Sequence, residues 1–139
     1  MTKYDYNIHY PIAYLNLSYI EKKRWFLADD LEIVLSDGRT IIIPKGFETD
    51  LSSIPSMLWG IFKPFDKGLL GDIIHDYLWT IKHSELIHHG TSYKARKFSD
   101  EERLRWRKKL AKEFKIKNYL THKAVRIFGG GVYSGKRKL

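Results

Sequence analysis

The chain has 139 residues and a formal net charge of +9 at pH 7, with 43% hydrophobic and 14% aromatic residues. This composition predicts one folded domain over residues 1–139, because a chain of this length buries a core without covalent cross-links and a disordered chain carries fewer apolar residues. With no cysteine in the sequence, disulfides, thiol nucleophiles and cysteine-based metal sites are excluded.

The distribution of apolar and charged residues predicts where the protein works. No apolar run approaches the roughly 20 residues that cross a bilayer, and the N-terminus lacks the basic and then apolar pattern of a signal peptide. We therefore expect a soluble protein with no membrane partner. Basic residues concentrate in the C-terminal half, which is typical of proteins that meet nucleic acid or another anionic partner. The residues expected at this basic surface are Arg103, Arg107, Lys108, Lys136, Arg137 and Lys138.

The first half of the chain has the residue patterns of β-strands. Aromatic and aliphatic side chains alternate over residues 1–20, around a proline, which predicts an N-terminal arm or edge strands. Two β-branched runs, residues 31–35 and 40–44, flank the pair Asp37 and Gly38. Because glycine adopts the positive φ that a tight turn requires, this pattern predicts a β-hairpin within a small antiparallel sheet.

The second half has the periodicity of helices. Apolar residues recur at helical spacing over about residues 67–81, which predicts a central helix with a broad buried face. Residues 82–98 show no sustained periodicity, so we expect a long loop there. Ser99, followed three residues later by Glu102, is a capping-box pattern and predicts a helix from Ser99 to about residue 114.

The end of the chain completes the predicted fold. A last helix is predicted over residues 118–128, ended by the three glycines at 129–131, and residues 130–139 form a basic tail. The sequence therefore predicts an α+β fold. In it, a small antiparallel sheet with a β-hairpin, at about residues 24–44, packs against three C-terminal helices.

The adjacent pair His75 and Asp76 lies on an otherwise apolar predicted helix. Imidazole nitrogen and carboxylate oxygen are ligands of divalent ions, as in His-Asp pairs of metal-dependent phosphohydrolases. Since burying a lone carboxylate is costly, Asp76 needs a counter-charge, a metal ion or dense hydrogen bonding. Alternatively the pair is structural, with His75 bonded to a backbone carbonyl. Asp76 would then pair with an arginine such as Arg96 or Arg103.

Three further carboxylates are candidates for the same site. Asp72, one turn before the pair, is either a third oxygen ligand or a first-turn carboxylate favoured by the helix dipole. Asp50 stands beside hydroxyl residues after the predicted sheet, where it would bind a metal or form an Asx turn. Asp100 opens the next predicted helix and has a structural explanation in the capping box. Three further histidines are expected to be solvated on the predicted loop: His83, His88 and His89.

Three segments of the chain carry a resemblance to a known family. They are residues 24–27 (Arg-Trp-Phe-Leu), residues 43–55, which contain Pro-Lys-Gly-Phe-Glu-Thr-Asp and Ser-Ile-Pro, and residues 73–79 (Ile-Ile-His-Asp-Tyr-Leu-Trp). Together they resemble a bacteriophage and prophage family, domain of unknown function 1353, over most of residues 24–129. The resemblance implies a phage origin and one domain, with no established activity. The polar positions that match the family pattern are Asp50, His75, Asp76 and Asp100.

Two hypotheses of function follow. The first is a metal-dependent hydrolase of phosphoesters, in which a divalent ion activates a bound water and the basic surface attracts an anionic substrate such as nucleic acid. Its metal ligands would be Asp50, His75, Asp76 and Asp100, of which the first three would also be catalytic. The alternative is a non-enzymatic virion, tail or assembly component that contacts other virion proteins, with the Asp/His-Asp cluster as a structural polar network. We expect the protein in the host cytoplasm, or in the virion if it is a structural component.

Overall fold

The computed structural model describes residues 2–7, 17–19, 25–49 and 68–133 of the chain. The strands in these ranges are β1 (Thr2–Asp5), β2 (Leu17–Tyr19), β3 (Trp25–Leu27), β4 (Leu31–Val34), β5 (Thr40–Ile43) and β6 (Glu48–Thr49). The helices are α1 (Leu69–Thr80), α2 (Lys82–His89), α3 (Ser92–Leu110) and α4 (Lys115–Tyr133). The predicted α+β class is confirmed. None of these described helices is both long and apolar enough to cross a membrane.

The described strands form two sheets of three strands each, in the orders β1-β4-β5 and β2-β3-β6. In the first sheet β4 pairs antiparallel with β5 but parallel with β1, so this sheet is mixed rather than purely antiparallel. The second sheet is antiparallel throughout. Both β1 and β2, which come from the first 20 residues, lie at a sheet edge.

The predicted β-hairpin is confirmed as β4 and β5. Ile33 pairs with Ile41 in its register, and the amide of Leu35 donates to the carbonyl of Arg39 at 2.8 Å to close the turn. Gly38 has a φ of 90°, the left-handed conformation expected of a glycine at this position. Alternate residues of β4, Leu31 and Ile33, face the core, and Leu35 directly after the strand is also fully buried.

The central helix α1 packs against α3 and shares the hydrophobic core with residues of the first sheet. Its residues Leu70, Ile73, Ile74 and Leu78 are almost completely buried and join the strand residues in one core cluster with Trp106 of α3. Apolar residues at helical spacing predicted this buried face correctly. The core therefore fixes the side of α1 from which its polar residues project.

The segment predicted as a loop, residues 82–98, is helical, and that prediction is wrong. It contains α2 and the beginning of α3, separated by Gly90 with a φ of 90° and by Thr91. The Thr91 side chain accepts a hydrogen bond from the amide of Lys94 at 3.1 Å and caps α3. Apolar periodicity is missing from α2 because the one residue it buries is Glu85, which forms an ion pair with Arg39 of the hairpin turn. With α2, four helices are described instead of the three predicted.

The capping box predicted at Ser99 is also wrong, since Ser99 and Glu102 lie inside α3. Both side chains instead reach other elements. The carboxylate of Glu102 accepts hydrogen bonds from the amide and the hydroxyl of Ser36 in the hairpin turn, each at 2.9 Å. Ser99 Oγ accepts a hydrogen bond of 2.7 Å from Trp79 Nε1 of α1. These residues therefore attach α3 to the sheet and to α1.

The glycines at 129–131 do not end the last helix, because α4 continues through them to Tyr133. A Cβ at Gly129 would lie 2.8 Å from the Trp79 ring. Gly71 has a similar role in α1, where a Cβ would lie 3.0 Å from the carbonyl oxygen of Arg103 and 3.2 Å from Cβ of Trp106. Both glycines therefore permit close approach of one helix to a neighbour.

This packing predicts opposite effects for alanine at two helical glycines. Gly71→Ala should lower the free energy of unfolding by about 1–3 kcal/mol, because its Cβ meets backbone of α3 that cannot move aside without repacking. Gly130→Ala, whose Cβ would have its nearest neighbour at 3.6 Å, should raise it by up to about 1 kcal/mol, because alanine is the better helix former. Urea denaturation measures both. Equal effects of the two substitutions would contradict the close crossing of α1 and α3.

Candidate functional site

Helix α1 presents three polar side chains, Asp72, His75 and Asp76, on an otherwise largely apolar element. Their spacing places all three on neighbouring parts of the helix surface. Each nevertheless has its own partners. Asp72 contacts arginines in the second half of α3, His75 contacts Asp100 in the middle of α3, and Asp76 contacts β6.

Asp72 is the centre of a buried ion-pair network. Its carboxylate lies 2.7 Å from Arg103 Nε and 3.1 Å from Arg107 Nη1. Arg107 also donates to the Asn118 side chain of α4 at 3.0 Å, and Arg103 donates to the Thr121 hydroxyl at 3.2 Å. The network therefore joins α1, α3 and α4. Asp72 does lie in the first turn of α1, as the dipole interpretation expects.

The network corrects part of the predicted basic surface. Arg103 and Arg107 are each only 1% exposed, so their charges neutralise Asp72 instead of facing solvent. Lys108 is exposed, as predicted. The other members, Lys136, Arg137 and Lys138, lie outside the described residues.

His75 and Asp100 form a buried pair between α1 and α3. His75 Nε2 lies 2.6 Å from Asp100 Oδ1, and both side chains are 0% exposed. The ring of Trp79, one turn along α1, lies 4.5 Å from the imidazole between centroids. Neither structural alternative predicted for these residues is observed: His75 bonds a carboxylate instead of a backbone carbonyl, and Asp100 is not at a helix N-terminus.

Two arginines also contact the carboxylate of Asp100. Arg126 Nη1 of α4 donates to its second carboxylate oxygen at 2.8 Å, and Arg96 Nε lies 3.7 Å from the same oxygen. Burial raises the pKa of Asp100, but the hydrogen bonds from His75 and Arg126 and the positive charge of Arg96 outweigh it, so that the pKa lies below the usual 3.8. The carboxylate is therefore ionised at neutral pH.

The His75 ring is the neutral member of the pair. Burial disfavours the imidazolium ion and lowers the pKa of His75 below its usual 6.5, although the bond to Asp100 acts in the opposite direction. Since an ionised carboxylate only accepts, Nε2 carries the proton that is donated to Asp100. Nδ1 then holds a lone pair, and this buried atom has no hydrogen-bond partner in the structure described. A carboxylate that fixes the tautomer of a histidine is the arrangement of both general bases and metal ligands.

Asp76, the residue after His75 in α1, has a different partner. Its carboxylate accepts a hydrogen bond from the hydroxyl of Thr49 at the end of β6. Thr49 directly precedes Asp50, the predicted ligand, which lies outside the described residues. The described geometry thus brings the end of β6, α1 and α3 together around His75 and Asp76. Whether the Asp50 carboxylate joins them stays a prediction.

The described residues contain no group of three or more histidine, aspartate or glutamate side chains placed to hold a metal ion. His75 and Asp100 are directly bonded to each other, which leaves Nδ1 as the one ring nitrogen of His75 available to an ion. The three other predicted loop histidines lie on α2. His83 and His88 are exposed, whereas His89 is mostly covered beside Glu85 and Phe98.

Sequence reasoning named Arg96 as a partner of Asp76 but missed its ion pair with Asp100, and it missed the other basic residues near that carboxylate. Arg96 stands four residues before Asp100, a spacing that would have indicated an ion pair once this segment was recognised as helical. Arg126 and His122 come from α4, and no local pattern connects them to Asp100. The pKa of His122 is lowered by burial, against the attraction of Asp100. Arg126 and His122 come close to Asp100 only through the packing of α4 against α3, which the sequence does not reveal.

The lowered histidine pKa values predict that stability falls with acidification. His75, His89 and His122 all have folded-state pKa values below 6.5, so the unfolded chain binds more protons and the free energy of unfolding decreases as pH falls through about 6.5. His75→Gln should make this slope shallower, by up to about 1.4 kcal/mol per pH unit. Urea titrations between about pH 7.5 and 5.5 test it. A slope equal to that of the wild type would contradict a neutral buried His75, and the exposed His83→Gln serves as the matched control.

A protein family matches most of the chain. The family model described as "Protein of unknown function (DUF1353)" matches residues 25–122. No curated protein and no solved structure matches the chain. The matched residues include the hairpin, α1, α2, α3 and the first part of α4, and with them His75, Asp76 and Asp100. On this match over most of its length, the chain belongs to the DUF1353 family.

Proposed function

We propose that this protein is a hydrolase in which His75, oriented by Asp100, removes a proton from an attacking water through Nδ1. The observation that carries the proposal is the pair itself. His75 Nε2 is bonded to the buried carboxylate of Asp100 at 2.6 Å, while Nδ1 has no hydrogen-bond partner in the described structure. A neutral histidine with one nitrogen fixed by a carboxylate and the other unoccupied is suited to general-base catalysis.

Nδ1 of His75 is one of several buried polar atoms without a hydrogen-bond partner among the described residues, together with Nδ1 of His122 and Nε1 of Trp106, but in His75 the other ring nitrogen is fixed by a buried carboxylate. A buried polar atom without a partner costs about 1–3 kcal/mol, and such atoms call for a specific explanation in a folded protein. The Asp72 network shows that this fold can bring several partners to one buried polar group. In contrast, Nδ1 of His75 has no hydrogen-bond partner in the part of the chain that the structure describes, whereas both oxygens of the Asp100 carboxylate accept hydrogen bonds. Such a nitrogen is suited to bind a water or a ligand.

A divalent cation is the second part of the proposal. Asp76 of α1 and Asp50, the residue after Thr49, would hold the ion, which would polarise the substrate and the attacking water. The support is the hydrogen bond from Thr49, the residue before Asp50 in the sequence, to Asp76 of α1. Asp100 would not be a ligand in this arrangement, since its carboxylate is occupied by His75 and Arg126.

The substrate class follows from charge. A phosphoester would suit a site that combines a cation with a general base, and the exposed lysines of the C-terminal half would attract an anionic substrate. Water oxygen would attack phosphorus, the bond to the leaving oxygen would break, and the proton taken up by Nδ1 would pass to that oxygen.

A second candidate is a non-enzymatic virion or assembly component of a bacteriophage. The observation that favours it is the complete burial of His75 and Asp100, which suits a polar network that holds helices together. Under this function the pair contributes only to stability, and removing either partner costs stability without loss of any activity.

The proposal predicts a large activity loss from one substitution. Purified wild-type protein, supplied with Mg²⁺, Mn²⁺, Ca²⁺ or Zn²⁺ in turn, should hydrolyse a chromogenic phosphomonoester or phosphodiester. His75→Ala should reduce the rate by about 10²- to 10⁴-fold, the usual contribution of a general base. His83→Ala, which removes an exposed histidine of α2, should leave the rate unchanged.

Equilibrium dialysis should show weaker retention of the activating ion by Asp76→Asn and Asp50→Asn than by wild type.

The outcomes separate the two candidates. Circular dichroism and thermal melting establish that each variant is folded at the assay temperature. If folded wild type and His75→Ala have the same rate with every ion, the hydrolase proposal is wrong and the structural network remains. If the activity depends on His75 but no ion is retained and a chelator has no effect, His75 is the general base and the proposed divalent cation is wrong.

A further inference from the structure

The outer face of α4 carries an apolar stripe on the most basic part of the chain. The stripe consists of Ile116, Tyr119, Leu120, Lys123 and Ile127, which fall within an arc of about 100° on a helical wheel. Ile116 is 77% exposed and Ile127 68% exposed, which is unusual for isoleucine. The opposite side of α4, with Asn118, Thr121 and Val125, packs inward.

Lysines surround and interrupt this stripe. Between residues 108 and 123 the chain has six lysines and a single acidic residue, Glu113. Lys123 lies inside the stripe, with its ammonium group 5.5 Å from the centre of the Tyr119 ring. Lys108, Lys112 and Lys115 line a groove of about 370 Å³ whose apolar walls include Leu104 and Tyr119. The sequence after α4 adds Lys136, Arg137 and Lys138.

We propose that this face of α4 binds the surface of an anionic lipid bilayer. A helix with an apolar face and flanking lysines can lie at a bilayer surface, with its isoleucines and tyrosine among the upper acyl chains and its ammonium groups among the headgroups. The groove next to Tyr119 would receive part of an acyl chain or a lipid glycerol group. The expectation of no membrane contact rests on the absence of a spanning segment, whereas a surface-bound helix needs none.

Lys123 favours a lipid surface over a protein partner. In the middle of a dry protein interface its ammonium group would be buried and would require a matched carboxylate. At a bilayer the same side chain extends its apolar stem along the helix and places the charge among phosphate groups. Tyr119, with an apolar ring and a polar hydroxyl, suits the same depth.

The charge distribution disfavours two other occupants. A second copy of this chain would bring two lysine-rich faces together, and like charges in contact oppose association. Nucleic acid would neutralise the lysines but would leave Ile116 and Ile127 facing water and a polar backbone, with no gain from their burial. An anionic bilayer satisfies both the charges and the apolar side chains.

Vesicle co-sedimentation of the full chain tests the proposal. Wild type should bind vesicles of phosphatidylcholine with about one third phosphatidylglycerol, and bind pure phosphatidylcholine at least about tenfold more weakly. The double variant Ile116→Ser/Ile127→Ser should lower the partition coefficient by about tenfold or more. Lys123→Gln should lower it by about fivefold.

Matched controls use the same chemistry elsewhere on the surface. Ile87→Ser removes an isoleucine of α2 that is 72% exposed, and Lys94→Gln removes an exposed lysine in the first turn of α3. Both should bind anionic vesicles like wild type. The absence of binding, equal binding to both kinds of vesicle, or equal loss in the stripe and control variants would overturn the proposal. None of these outcomes depends on His75, so they leave the proposed hydrolysis untouched.

Discussion

Buried carboxylates that reach from one helix to the next hold the C-terminal half of this protein together. Asp72 of α1 lies between two arginines of α3, and Asp100 of α3 lies between His75 of α1 and Arg126 of α4. An unpaired charge in such a place costs several kcal/mol, so each carboxylate tolerates only the helix arrangement that brings its cations to it. The glycines that permit close helix contact have the same consequence, because Gly71 leaves room for the Arg103 carbonyl and Gly129 for the Trp79 ring. Charge pairing and close packing thereby fix one register of α1, α3 and α4.

The same constraint gives His75 its chemical character. The bond to Asp100 assigns the proton to Nε2, and burial keeps the ring neutral, so that Nδ1 is left with its lone pair. Asp76, the residue after His75, accepts a hydrogen bond from Thr49, so that the end of β6 contacts α1. The imidazole of His75 is thus held by Asp100, and the carboxylate of the adjacent Asp76 is held by Thr49. Because the two side chains have different partners, they do not form a single cluster of ligands around one ion.

The sequence predicts those parts of the fold that local patterns determine. The hairpin followed from Asp37-Gly38 between β-branched runs, and α1 from its apolar spacing. The prediction failed for α2, because that helix is held by the ion pair of Glu85 with Arg39 and lacks an apolar stripe. It also placed a helix start at Ser99 although the stronger signal, a glycine followed by Thr91, lay eight residues earlier. Within the site, His75, Asp76 and Asp100 were identified from residue type and family resemblance. Their partners, such as Arg126 and Thr49, depend on long-range packing that a single sequence does not reveal.

The protonation state of the His75 ring tests the central claim most directly. Long-range ¹H–¹⁵N correlation spectra of uniformly ¹⁵N-labelled protein separate the two ring nitrogens, and His75→Gln identifies the signals of His75 by their loss. At neutral pH, we expect a protonated Nε2 and an unprotonated Nδ1, and this tautomer should persist below the pH at which an ordinary histidine gains its second proton. A proton on Nδ1 at neutral pH, either alone or together with one on Nε2, would contradict the account. Nδ1 would then have no lone pair with which to accept a proton or bind an ion.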